Sequence, residues 1–257
     1  MAEVRRVKPS MAKAFVGTSG WQYRHWKEKV YDNAPAKQWL TIASRRFNSV
    51  EVDGTFYRLQ NADTFRRWTE IVPPDFKFAI RGHRYSTHRK RLLEATETIR
   101  RQKEPADALG SHLAIVLWQL PPNFHLNLTR LEDFLKALIQ EWPNVRHAFE
   151  FRHDSWFTPE VKQVLTDHRV AITISDAGKF PLWLETSTDL VYVRLHGRPI
   201  TYVSSYAGEG LQIWAERMKT WLQEGRDVYA YFDNDVEACA PFNASELAQA
   251  VKRERSE

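Results

Sequence analysis

The chain has a single cysteine in 257 residues, Cys239. One cysteine excludes an internal disulfide and a cysteine-based metal cluster, and in the context Glu-Ala-Cys-Ala-Pro it reads as a structural or incidental thiol. No apolar run approaches the roughly 20 residues that span a bilayer. Residues 1–30 hold no signal-peptide segment, so the expectation is a cytoplasmic protein with no membrane partner. The Gly-x-Ser-x-Gly elbow of serine hydrolases is missing, as are the phosphate loop and the dinucleotide fingerprint. With no HExxH or HxH spacing either, zinc gains no support, and the sequence does not fix a cofactor or whether a divalent metal is bound.

What is present is a large supply of core. Hydrophobic residues make up 43% of the chain and aromatic residues 13%, with 10 tryptophans. The net charge of +5 favours anionic partners in a general way. Its excess gathers at Arg5, Arg6, Lys8 and Lys13, across residues 81–91, and at Arg100, Arg101 and Lys103. Such runs form either a solvated face or a nucleic-acid surface. Residues 1–12 are basic and without periodicity, and read as a disordered lead-in. Residues 13–257 carry strand and helix signals without a linker, matching in length one α/β barrel of about 250 residues.

The organising stretch is AFEFRHDSW at 148–156, where an apolar run ends abruptly in Glu150, Arg152, His153 and Asp154 before a helix begins. Alternate side chains of a strand share a face, so Glu150 and Arg152 point one way and Phe149 and Phe151 the other. The same grammar pairs Glu51 with Asp53, Arg194 with His196, and Tyr231 with Asp233 and Asp235. Strands are expected at 14–18, 49–53, 76–80, 113–119, 148–152, 170–175, 190–195 and 227–232. Between them, apolar residues at helical spacing predict helices over 36–47, 61–72, 88–107, 131–142 and 159–165, then at 211–222 and from about 243. Asn61, Thr158 and an Asn243/Glu246 capping box mark three of their starts. The link 177–189 shows no helix, so one helix is short or missing there. Eight strands alternating with helices predict a parallel, closed (β/α)8 barrel of the TIM type.

Seven ordered motifs resemble the YecE-like family, domain of unknown function 72. They are TSGWQY (18–23), VEVDGTFYR (50–58), FKFAIRGHRYSTH (76–88), LWQLPP (117–122), EFRHDSW (150–156), YVRLHG (192–197) and YFDND (231–235). The resemblance covers residues 15 to about 247, and it implies a TIM-like barrel without supplying a reaction. Where the family carries Asn and a polar residue after VE, this chain has Asp53 and Gly54.

Barrel active sites lie at the C-terminal ends of the strands. The candidates there are Ser19, Trp21, Glu51, Asp53, Arg81, His83, Gln119, Glu150, Arg152, Asp176, Arg194, His196, Asp233, Asn234 and Asp235. Charged side chains in so buried a place must pair, bind a ligand, or both. In one reading Arg152 and Arg194, with Arg81, clamp an anionic or phosphorylated small substrate bidentately. Glu51, Glu150 or Asp233 then serves as general base and His196 as acid or shuttle, in hydrolase or lyase chemistry. In another, the ion pairs only close the barrel top. The arginines count against a packed metal cluster, so no metal ligand is assigned. Trp21, Tyr57, Trp156 and Tyr206 either wall a pocket or pack. A nucleic-acid protein using 81–91 and the mouth aromatics is the alternative of a different class. Oligomeric state is not fixed by the sequence.

Overall fold

The computed structural model describes residues 11–252. The lead-in expected over 1–12 therefore lies outside the described residues, except for exposed Met11 and buried Ala12. The first half of the chain runs β1 Ala14–Thr18, α1 Trp39–Arg46, β2 Ser49–Val52, α2 Gly54–Tyr57, α3 Ala62–Ile71, β3 Lys77–Arg81, α4 Ala95–Ala106 and β4 Leu113–Gln119. The second half runs α5 Leu128–Glu141, β5 Arg146–Glu150, α6 Pro159–Asp167, β6 Ala171–Asp176, β7 Leu190–Leu195, α7 Glu209–Gln223, β8 Asp227–Phe232 and α8 Cys239–Lys252. No helix lies between β6 and β7, as the pattern there indicates.

All paired strands are parallel, in the order β1-β8-β7-β6-β5-β4-β3-β2. The barrel is nearly closed. At the remaining seam, β1 meets β2 only through the Ser19–Glu51 bridge, where the Gly20 N–H donates to the Glu51 carbonyl at 2.7 Å. Lower down, the Asn48 side chain stands in for ladder bonds. Its Nδ2 donates to the Ala14 carbonyl at 2.8 Å, and its Oδ1 accepts from the Val16 N–H at 2.9 Å. Gly17 makes this approach possible, since a Cβ there would lie 1.8 Å from the Ser49 carbonyl oxygen.

Strand alternation sorts the core into two bodies. One parity faces the helices and builds the outer layer, with Val50, Val52, Phe78, Ile80, Val116, Trp118, Phe149, Val191 and Val193 against apolar helix faces such as Leu131, Phe134, Leu135 and Leu138 of α5. The other parity fills the barrel with Phe15, Ala79, Ile115, Leu117, Ala148, Ala171, Leu190, Tyr192, Tyr229 and Tyr231. The same parity, followed toward the strand C-termini, reaches Ser19, Glu51, Arg81, Gln119, Glu150, Ser175, Arg194 and Asp233. The interior thus turns from apolar to charged toward the strand C-termini.

Local chemistry explains the helix starts. Asn61 and Thr158 cap α3 and α6, accepting from the N–H groups of Thr64 and Val161, with Pro159 at the first helical position. Two expectations are corrected. The helix expected over 88–107 begins only at Ala95, because Arg91, Leu92 and Glu94 take left-handed backbone conformations after a wide turn at Tyr85–Arg89. Asn243 caps nothing. It lies inside α8, where its amide bonds the Tyr206 N–H and carbonyl and the Asn234 side chain.

Candidate active site at the barrel mouth

Arg194, from the end of β7, is fully buried and stands at the centre of the mouth. Its Nη2 donates to Glu51 Oε1 at 2.7 Å and to Asp233 Oδ2 at 3.0 Å, and its Nη1 donates to Glu150 Oε2 at 2.9 Å. Nε reaches Glu51 at 3.2 Å. Glu51 also accepts from Tyr192 Oη at 2.6 Å and from Ser19 Oγ. Glu150 accepts from Arg152 Nε at 2.7 Å and from Ser175 Oγ at 3.4 Å. His196, also fully buried, lies two residues beyond Arg194 on the same face, with Nε2 3.4 Å from Arg194 Nη1. Its Nδ1 lies 2.9 Å from Asp233 Oδ2.

Around this ring, Arg81 pairs with Asp53 and donates to Gln119 Oε1 while its guanidinium stacks on Phe56 at 4.1 Å. Arg152 leans on Phe180 at 4.3 Å, and Phe180 and Tyr202 both meet the His196 ring edge-to-face. Tyr23 Oη donates to the Ser19 carbonyl at 2.8 Å. Arg152 alone of the three arginines keeps both terminal nitrogens without a protein partner among the described residues.

Five carboxylates, Glu51, Asp53, Glu150, Asp233 and Asp235, thus face three guanidinium groups, and the environments of Asp53, Glu150, Asp233 and Asp235 pull their pKa values apart. Burial would raise Glu150 and Asp233. It is outweighed at Glu150 by Arg152, Arg194 and His196, and at Asp233 by Arg194 and His196, so both stay below the usual carboxylate range. Asp235 is pushed up to about 6, first by burial and then by the Asp233 charge. Asp53 is also raised by burial, against the pull of Arg81. Burial and then Arg194 lower the His196 pKa, so the imidazole is neutral at pH 7. Burial and the surrounding acids Asp233, Asp235, Asp53 and Glu51 raise Tyr23, which remains a phenol.

Eleven of the fifteen strand-end candidates gather here: Ser19, Glu51, Asp53, Arg81, Gln119, Glu150, Arg152, Arg194, His196, Asp233 and Asp235. Others are placed elsewhere. Asp176 has the opposite parity from Ser175, and its carboxylate bonds Arg198 Nε and Trp214 Nε1 in the helix layer. Asn234 likewise turns to Ser204 and Asn243. Trp156 is fully buried on Phe151 and bonds the Phe124 carbonyl, and Trp21 is buried edge-to-face on Trp68. Tyr206 is buried against Phe232 with its hydroxyl on the Asp176 carbonyl. His83 contacts the carbonyl of Tyr57, and the Tyr57 side chain stands on the rim, 59% exposed. The clamp needs correction as well, because the acids already occupy the nitrogens of Arg194. Sequence reasoning passed over Tyr192 and Ser175, whose strand parity is legible, and Tyr23, Phe180, Tyr202 and His88, which lie on irregular segments. His88 is lowered to about 4 by burial and by Arg152, Arg81 and Arg84.

Among the described residues no group of three or more His, Cys, Asp and Glu side chains is arranged to hold a metal ion, and no helix is long and apolar enough to cross a membrane. A family model described as protein of unknown function DUF72 matches residues 15–257. The UPF0759 protein YunF of Bacillus subtilis is 24% identical over 277 residues, covering 94% of this chain and 96% of that protein. The crystal structure of a DUF72 family protein from Thermotoga maritima superposes with a TM-score of 0.82 at 27% identity, covering 93% of this chain and 99% of the other. A DUF72 family protein from Enterococcus faecalis superposes with a TM-score of 0.80 at 18% identity, covering 93% and 95%, and at that distance shows the fold alone.

Proposed function

The chain belongs to the DUF72 family, whose description assigns no reaction, and from the chemistry of its own barrel mouth we propose an enzyme that runs acid–base chemistry, of hydrolase or lyase type, on a small substrate bearing an anionic group. The observation that carries this reading is that Asp233 shares the buried Arg194 guanidinium with Glu51 and Glu150, while Asp235 makes no ion pair among the described residues. Asp233 is held ionised while Asp235, two residues on, keeps its proton to about pH 6. Groups whose environments drive their pKa values apart can act as base and acid together. Asp233 is the general base and Asp235 the proton donor. Glu51, Glu150, Arg194 and His196 are sealed beneath them and position Asp233. The open nitrogens of Arg152 take the anion, since Arg194 and Arg81 are already engaged.

A thermal-shift screen of the wild type beside Arg152→Ala tests this, with phosphosugars, organic acids, nucleotides and short oligonucleotides. A ligand at 100 times its Kd adds about 2.7 kcal/mol, or roughly 5–10 °C for a chain of this size. The expected result is such a shift with an organic acid or phosphosugar in the wild type and none in the variant. Small anions that shift neither protein, or both equally, contradict it. A second reading, a nucleic-acid surface, is favoured by Arg84 and Arg89, which are exposed with no ion-pair partner among the described residues. Oligonucleotide shifts that fade steeply with salt and vanish on neutralising Arg84 and Arg89 would select it.

A further inference from the structure

The acid–base chemistry above leaves unused a cleft of about 450 Å³ beside Asp53, between the segment after β1 and helix α3. Trp21, Asp53, Gln60, Thr64, Arg67 and Trp68 line it. Its volume lies within the roughly 300–1,000 Å³ of small-molecule sites. Trp21 and Trp68 meet edge-to-face at 5.0 Å and 82°, so Trp21 is buried while Trp68, half-buried, gives the cleft an aromatic wall. Neither indole N–H finds an acceptor among the described residues.

The polar lining is similarly open. The Gln60 amide makes no hydrogen bond to protein among the described residues, and Arg67 donates only from Nη2, to Thr64 Oγ1 at 3.1 Å. Asp53 gives Oδ1 to Arg81 and leaves Oδ2 available. The cleft therefore offers donors and acceptors together with an apolar ring surface, and its charges, Arg67 and Asp53, are of opposite sign. An anion would meet the Asp53 carboxylate, a cation would meet Arg67, and an apolar guest would strand several polar groups without partners. We propose that this cleft is a subsite for a neutral, polyhydroxylated ring, the sugar-like part of the substrate. The assignment of that ring to the reacting molecule rests on the mouth reading given above.

The test follows the Trp68 indole N–H signal in ¹H–¹⁵N spectra while glucose, a methyl galactoside, adenosine or inorganic phosphate is added to the wild type, Gln60→Ala, Arg67→Ala and Arg152→Ala. A neutral sugar should move the signal in the wild type and in Arg152→Ala alike. In Gln60→Ala and Arg67→Ala, binding should be roughly fivefold weaker for each hydrogen bond lost. The subsite is overturned if no sugar moves the signal, if adenosine or phosphate moves it more than every sugar, or if the two cleft variants bind as the wild type does. Sugar binding without any Arg152-dependent anion binding sustains the subsite and removes the mouth reading. Arg152-dependent anion binding without sugar binding removes the subsite alone.

Discussion

Arg194→Met should be the most damaging single substitution in the chain. Methionine keeps much of the volume of the side chain, so the loss is electrostatic. Glu51, Glu150 and Asp233 are left in the mouth without the guanidinium that contacts all three. Removing one partner of a buried pair costs about 3–5 kcal/mol, and here the stranded acids also repel one another. The total approaches the roughly 5–15 kcal/mol stability of an ordinary domain, so little folded protein is expected at pH 7. Adding Glu51→Gln and Glu150→Gln to this variant should recover a substantial part of the loss.

The pH dependence has a definite sign. Glu150 and Asp233 have depressed pKa values in the folded protein. Their contribution is therefore present above the unfolded values of about 4 and is lost as pH falls through the folded ones. Arg194→Met removes the main group that depresses Asp233 and, after Arg152, the second that depresses Glu150, so acid should harm it less than it harms the wild type. Urea melts at pH 7 and at about pH 2, below the unfolded carboxylate values, measure both effects. An Arg194→Met protein within about 1 kcal/mol of wild type, less than the usual cost of one broken buried pair, would mean that the mouth is not an ionised network.

Gly17→Ala should be the second large effect, for a steric reason. The new methyl would sit 1.8 Å from the Ser49 carbonyl oxygen and 2.9 Å from its carbon, both backbone atoms of the neighbouring strand. No rotamer relieves such a clash, so β1 and β2 must separate where a single bridge and the Asn48 side chain hold them. A loss at or beyond the upper end of ordinary overpacking, about 3 kcal/mol, is expected. Ser19 should also withdraw from Glu51. Gly210→Ala near the start of α7 is the control, because nothing lies within 4 Å of its added carbon. There a small gain of about 0.4–1 kcal/mol is expected in the same denaturation experiment. Equal behaviour of the two alanine variants would show that the seam tolerates separation.

Much of this fold was legible because a buried parallel strand is an uninterrupted apolar run ending in polar residues. β1, β4, β7 and β8 begin and end where the sequence pattern puts them, β2 ends one residue earlier, and β3 and β6 are each displaced by one residue toward the C-terminus. Strand parity carried most of the site too, from Glu51 with Asp53 to Arg194 with His196. Applied strictly, it would also have chosen Tyr192 and Ser175 and rejected Asp176 and Asn234. The pairings were beyond reach, since Arg194 meets Glu51 across 143 positions and Glu150 across 44. Nor does the sequence show that one guanidinium would be shared among three acids, and this changes the clamp into a single open arginine, Arg152. Trp21 and Trp156 illustrate a further limit, because an indole suits a core as well as a binding wall. Phe180 and Tyr202 come from irregular links, where no periodicity signals direction.

The central claim is that Asp233 is ionised beside an Asp235 that holds its proton up to about pH 6. The most direct measurement is a ¹³C carboxyl NMR titration of the aspartates, with Asp233→Asn and Asp235→Asn giving the assignments. The account expects Asp235 to titrate near pH 6 and to move toward the ordinary carboxylate value in Asp233→Asn, while Asp233 stays ionised below the ordinary range. Two aspartates titrating together near the ordinary value of about 4 would contradict it and leave the mouth an ion-pair ring that closes the barrel.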